Sequence, residues 1–229
     1  MALASSRSAL PLVLSFNAGF VDTAGFLALQ GLFTAHVTGN FVTLGASLVL
    51  GTSGAIAKLL ALPVFCIVVI AARWFGTLLS HRSAHPFVPL LVLKVLLLTA
   101  GSALAIHFGP FHDGDSLQAI ATGMVLVAAM AIQNAVHRVH LSSSPPSTLM
   151  TGTTTQIMLD VADRIYPRLG AETPPARLMQ MSVNVVVFAI GCASAALLYA
   201  RFGVWCFVVP PVVAAASLII RLTESSKAT

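Results

Sequence analysis

The sequence predicts an all-α, polytopic membrane protein built from two inverted repeats, each of three spans plus a broken, re-entrant half-helix. Three observations predict it. Of 229 residues, 57% are hydrophobic and only 8% charged, with a mean hydropathy of +0.93. A soluble domain carries about 25% charged residues, and so sparse a set cannot clothe a globular surface. Apolar runs of the roughly 20 residues needed to cross a bilayer recur along the chain. They show no alternating ten-residue pattern of the kind an outer-membrane barrel needs, so the spans are helices. Finally, long and short runs follow the same order twice.

In chain order, the full spans are Leu10–Phe33, Ala55–Leu79, Phe87–Phe108, Leu117–His140, Arg177–Ala200 and Val204–Ile220. The apolar run of the first continues past Asn17 and Asp22, which sets it apart from a signal peptide and makes it a membrane segment. Two segments do not fit as spans. Thr38–Leu50 is too short to cross comfortably, and Ser147–Ile165 holds Thr148, Thr151, Thr153, Thr154, Thr155, Gln156 and Asp160. The order is therefore long, short, long, long, repeated once. Local matches keep that order: FNAG at 16–19 with QNAV at 133–136, VTGN at 37–40 with MTGT at 150–153, and ARWFG at 72–76 with ARFG at 200–203. A fixed order of weak matches is the mark of a duplication. Repeat one covers residues 1–109 and repeat two 117–221, within a single membrane domain, followed by a cytoplasmic tail at 222–229.

Charge placement sets the direction of the short segments. If both enter and leave on one side, Arg7, Arg82, Arg138, Arg164, Arg168, Arg177, Arg221 and Lys227 share a face, and the acidic loop GPFHDGDS at 109–116 lies opposite. The positive-inside rule then favours six crossings, two re-entrant segments and cytoplasmic termini. Lys58 and Arg201 are exceptions near span ends, where long side chains can snorkel. Three crossings per repeat make the two repeats inverted. The net charge of +5 thus reflects membrane orientation, not nucleic-acid binding.

The stretch FTAHVTGNFVTLG at 33–45 interrupts an apolar chain with polar and helix-breaking residues. Non-helical backbone at membrane depth is tolerated only within protein or beside water. The expected arrangement is an extended FTAHV run, a half-helix capped by Thr38 and starting near Gly39, and a second one capped by Thr151 and starting near Gly152. Helix starts carry free N–H groups and partial positive charge. Two of them facing one midplane point make a site for a small anionic or polar solute. Its expected lining is Thr38, Gly39, Asn40, Thr151, Gly152 and Thr153, with Asn17 and Asn134 bridging to the broken backbone. Asp22, an ionisable residue inside a span, and His36 are candidates for proton or ion coupling. Each has a structural alternative: Asp22 satisfied by helix-start N–H groups or a Thr hydroxyl, and His36 bonded to a carbonyl of the broken helix. Tight turns with locally bonded threonines are the corresponding alternative for TGN and TGT.

Other features point away from chemistry. Cys66, Cys192 and Cys206 sit in apolar runs as packing thiols, with no metal spacing. Lys94 and Arg73 are read as snorkelling or paired, and Asn184 as an interhelical bond. Although GTSG at 51–54 with His36 and Asn40 resembles fragments of an intramembrane serine protease, the later helix His such an enzyme needs is missing. No enzyme, cofactor, metal or nucleic-acid partner is expected; the expected partners are the bilayer and a small solute, and the small size suits a homodimer.

The run from Asn17 to Asn40 (Asn17, Ala18, Gly19, Asp22, Gly25, Phe26, Leu32, Phe33, His36, Thr38, Gly39, Asn40) resembles the first signature of the YoaK family, and NAVHR with LMTGTTTQI resembles its second. That resemblance implies a multi-pass protein of the bacterial inner membrane and supplies no substrate. A looser similarity of arrangement links the paired half-helices to sulfate permeases and nucleobase carriers, which have about twice as many segments. Together these readings suggest a transporter or channel for a small anionic or polar solute, with a non-transporting membrane scaffold as the alternative.

Overall fold

The computed structural model describes residues 9–81, 86–166 and 174–226, and every regular element among them is helical. The helices are α1 (Leu10–Ala28), α2 (Asn40–Leu50), α3 (Ala55–His81), α4 (Phe87–Phe108), α5 (Leu117–His140), α6 (Met150–Ile165), α7 (Pro175–Phe202) and α8 (Val209–Ser226). Short 3-10 turns, Val37–Gly39 and Gly203–Val208, lead into α2 and α8. Five stretches are long and apolar enough to cross a membrane, and the last of them, Pro175–Ser226, has 52 residues and holds both α7 and α8. A straight helix of that length would be more than twice the roughly 30 Å of a bilayer core. Gly203, at φ +56, breaks it where L side chains are disfavoured. Six long helices result.

Several boundaries differ from the expected ones, most clearly at α1 and α8, the latter starting at Val209 and not Val204. α1 stops at Ala28, short of Phe33, because Gln30 (φ +54) and Gly31 (φ +86) turn the chain back. α8 continues to Ser226, so 222–226 is helix where a tail was expected. Arg7, Arg82, Arg168 and Lys227, which supported the topology, lie outside the described residues.

α1 and α5 form the centre: 67% and 61% of their most apolar windows are buried, against 22% for α3. α1 packs along α7, and α3 along α5; α4 meets α5, and α8 meets α1; α2 lies on α3, and α6 on α7; α4 touches α8, and α1 touches α5. Exchanging the first four helices with the last four leaves this set of pairs unchanged. The α1–α7 contact is close because glycine lets backbone meet backbone. A Cβ on Gly19 would lie 2.3 Å from the Phe188 carbonyl oxygen, and one on Gly191 would lie 2.2 Å from that of Phe16. Ser15 meets Asn184 and Gly19 meets Phe188, so the two helices run parallel. α4 and α5 run antiparallel, since Phe87 stacks on His140 while Gly101 faces Leu126.

One end of the bundle is tied by polar bonds. The Gln30 side chain donates to the Phe111 carbonyl (2.9 Å), and the Gly114 amide donates to Ser53 Oγ (3.0 Å). Asp115 caps α3, accepting from the amides of Gly54, Ala55, Ile56 and Ala57 at 2.8–3.3 Å. The end of α1, the start of α3, the end of α4 and the start of α5 therefore meet at one place. Lys58, expected to snorkel, is buried there and donates to Ser47 Oγ (2.6 Å) and to the Ser53 carbonyl. At the opposite end, Arg221 lies over Phe87, which stacks on His140, and Arg177 shares a cavity with Ser142 and Ser143. The described arginines Arg138, Arg177 and Arg221 are thus gathered away from Asp113 and Asp115.

Asp115→Ala removes the acceptor for four amides at a helix start. Losing such a cap costs roughly 0.5–2 kcal/mol, so the variant should unfold at lower temperature in detergent, with Asp115→Asn intermediate between it and wild type.

Candidate functional site

Between α1 and α2 the chain leaves the helical path at Gly31 and regains it only at Val37. The amides of that unwound stretch have no helical acceptor, and left unpaired inside the protein they would be costly. Asp22, buried on α1, supplies the acceptor. Its Oδ1 takes the amides of Thr34 (2.8 Å) and Ala35 (2.7 Å), with the His36 amide and Thr34 hydroxyl each at 3.4 Å. Its Oδ2 meets His36 Nδ1 at 2.7 Å. One carboxylate thus holds three consecutive residues of broken backbone and orients an imidazole. These amides belong to unwound backbone, not to a helix start, and the Thr34 hydroxyl is only a long contact; the carboxylate also meets the coupling candidate His36.

Asn40 makes a second clamp. Its amide nitrogen donates to the Phe33 carbonyl and its oxygen accepts the Phe33 amide, both at 2.8 Å. This two-way bond closes the loop onto the first turn of α2 and leaves Asn40 buried. Thr38 does not cap α2: no side-chain cap bond forms at this start, and the 3-10 turn brings the chain into the helix through Gly39 instead. Thr38 is exposed, while Gly39 lies against the Phe33 ring, 3.0 Å from where a Cβ would stand.

The second broken segment is held by different groups. Asn134 accepts from the Thr148 hydroxyl (2.6 Å) and donates to the Met130 carbonyl (3.0 Å). Gln133 donates to Ser147 Oγ (3.0 Å) and to the Leu14 carbonyl of α1 (2.9 Å). Asn184 of α7 donates to the Pro146 carbonyl (2.9 Å) and accepts from Ser15 Oγ (2.5 Å), which makes it the interhelical bond expected of it. Thr151 does not cap α6. The helix begins at Met150 without a side-chain cap, and Thr153, one turn in, points its hydroxyl back to the Leu149 carbonyl. Thr151 and Gly152 are exposed, and nothing lies within 4 Å of a Cβ built on Gly152.

The two helix starts do not open on one shared cavity. Thr38 and Gly39 line a cavity of about 550 Å³ with Asp22, His36, Phe33 and Phe188. Gly152 and Thr153 line another of about 550 Å³ with Gln156, Arg177 and Gln180. His36 stands between the two broken segments. Its ring meets Asp22 on one side, sits edge-on to Phe188 of α7 at 5.4 Å, and faces the Thr148 carbonyl. The expected common solute pocket is therefore absent from the cavities described, and His36 lines only the first of them. Asn134 lines a third cavity and reaches the broken segment only through the Thr148 hydroxyl, while Asn17 is fully buried with neither polar atom bonded, so neither makes the expected bridge to broken backbone.

Phe188 and Cys192 of α7 join the first cavity without any signal in the sequence, because long-range helix pairing brings them there. Thr148 carried a signal, its polarity beside Asn134 of the repeated NA pair. Cys66 faces outward on α3 instead of packing, and Lys94 is fully buried with no partner for its amine instead of snorkelling. Among the described residues no group of three His, Cys, Asp or Glu gathers that could hold a metal ion.

Apolar helices of spanning length around a buried polar centre define a multi-pass helical membrane protein. A family model described as "Protein of unknown function (DUF1275)" matches residues 10–220, and the chain belongs to that family. It is 28% identical over 203 residues to the UPF0700 transmembrane protein YoaK of Bacillus subtilis (strain 168), covering 86% of each chain. No solved structure matches it.

Removing the Asp22 carboxylate leaves the Thr34 and Ala35 amides without an acceptor. Hydrogen bonds to charged groups are worth roughly 1.5–3 kcal/mol. Asp22→Ala should lose stability on that scale in detergent melts, whereas Asp22→Asn, which keeps an acceptor oxygen, should lose less.

Proposed function

We propose that the protein is a transporter or channel for a small polar or anionic solute, built from two inverted halves that each carry a re-entrant half-helix. Three features of the packing support the inverted, re-entrant reading. Apart from a slight α3–α4 contact, the helix pairs recur when the halves are exchanged. α1 opens the first half and α5 the second, and the shared cluster at Gln30, Ser53, Phe111 and Asp115 marks the end of α1 but the start of α5, so they run oppositely. Because Gln30 and Ser53 both reach that cluster, the segment between them leaves and returns on one side, after dipping to the level of Asp22.

The observation that carries the functional reading is the cavity at the start of α2, lined by Asp22 and His36 beside unwound backbone. Unwound backbone in a membrane helix bundle is the way such folds present amide groups to a solute. In this reading the solute enters that cavity, meets the N–H groups of the helix start and the His36 imidazole, and crosses when the ring moves. Arg177 and the hydroxyls near α6 give the second cavity a positive, hydrogen-bonding wall. Asp22 orients the imidazole and couples its proton to the broken backbone. A scaffold is the competing reading, favoured by the fact that Asp22 and Asn40 spend their polar atoms on backbone.

Purified protein in liposomes, screened for uptake of small inorganic and organic anions and polar solutes, separates the two. The transport reading expects flux of at least one class, and faster, less selective leak in His36→Ala. Absence of flux for every solute, in protein whose melting shows it folded, leaves the scaffold.

Topology is checked separately. In a variant lacking the native cysteines, single cysteines at Thr52 and His112 should react with an impermeant thiol reagent from outside the cell, and one at Ser143 only after permeabilisation. Opposite labelling of Thr52 and His112 would contradict the re-entrant path.

A further inference from the structure

The largest cavity described, about 780 Å³, is a cleft between α3, the start of α4 and the end of α5, separate from the His36 centre. Its size lies within the roughly 300–1,000 Å³ usual for small-molecule sites. Its depth is apolar, formed by Phe65, Val69 and Leu90, and its polar groups include Arg73, Arg138 and His140. No acidic residue lines it. Neither arginine has an ion-pair partner among the described residues.

Arg73 lies about two helical turns before the end of α3 at His81, on a helix that mostly faces outward. Next to Trp74 and near an interface, its long side chain can reach an anionic headgroup. Arg138 stands across the cleft on the last turn of α5. Ala72 and Gly76, both buried, keep the α3 wall low and make room between the helices. Exposed Trp74 on the same helix suits an interfacial position, at headgroup level. Two unpaired guanidiniums above an apolar channel match one kind of ligand: a molecule with an anionic phosphate at one end and a hydrocarbon chain at the other.

We propose that this cleft binds an anionic phospholipid, with its phosphate held by Arg73 and Arg138 and an acyl chain laid along Phe65, Val69 and Leu90. Basic pockets between membrane helices favour such headgroups, and each arginine contributes about five-fold in affinity. The site would tie the lipid's composition to the α3–α5 contact and to Asn134, which lines the same cleft and holds Thr148 of the second broken segment. It does not depend on what solute, if any, the protein moves.

Native mass spectrometry of the detergent-purified protein tests it, with phosphatidylglycerol and phosphatidylcholine of identical chains as probes. Selective retention of phosphatidylglycerol is expected. R73Q/R138Q should weaken it about thirty-fold, and Val69→Trp, which fills the apolar part and leaves both arginines, should weaken it too. Should the double variant fail to fold, R138Q alone carries the test with a several-fold loss. Equal retention of phosphatidylcholine, unchanged retention in the arginine variants, or full displacement by inorganic phosphate with Val69→Trp neutral would each overturn the assignment; the last would mark a site for a soluble anion.

Discussion

One carboxylate in the middle of α1 makes the rest of this structure possible. A membrane helix that unwinds must find acceptors for the amides it frees, because neither lipid nor packed side chains supply them. Asp22 does so for Thr34 and Ala35, with the His36 amide at longer range. The same group holds the His36 ring, so the conformation of the break and the position of the imidazole are set by one interaction. Asn40 then closes the loop onto α2 by bonding both backbone groups of Phe33.

The segment before α6 is held by milder means. Neutral groups bind it, Asn134 to Thr148 and Gln133 to Ser147, and Asn184 across from α7. The asymmetry concentrates the ionisable chemistry on one side of the centre. Close α1–α7 packing at Gly19 and Gly191 brings Phe188 against His36, so the glycines that permit helix contact also shape the site.

Much of the fold was legible in the sequence because bilayer thickness is a strict ruler. Apolar length placed the six long helices and marked Thr38–Leu50 and the polar run after Ser147 as different in kind. The polar interruption at FTAHVTGN announced unwound backbone, and the buried Asp22 announced a partner for it. What the sequence did not disclose was which polar atom serves which. Thr38 and Thr151 look like caps from spacing alone, yet entry through a 3-10 turn in one case and directly from Leu149 in the other leaves them outside that role. Asn40 reads as a ligand group until its bonds to Phe33 are seen. Phe188 and Cys192 come from a helix far along the chain, and only packing brings them in. Lys94 and Asn17 are buried with unbonded polar atoms, and the structure gives no account of their cost.

The most direct test of the central interaction is amide hydrogen exchange over residues 33–40, measured in lipid nanodiscs for wild type and for Asp22→Ala. The account predicts protected Thr34 and Ala35 amides in the wild type although they lie in no helix. It predicts that this protection disappears in the variant while that of α5 is kept. Fast exchange of those amides in the wild type, or protection that survives loss of the carboxylate, would contradict it.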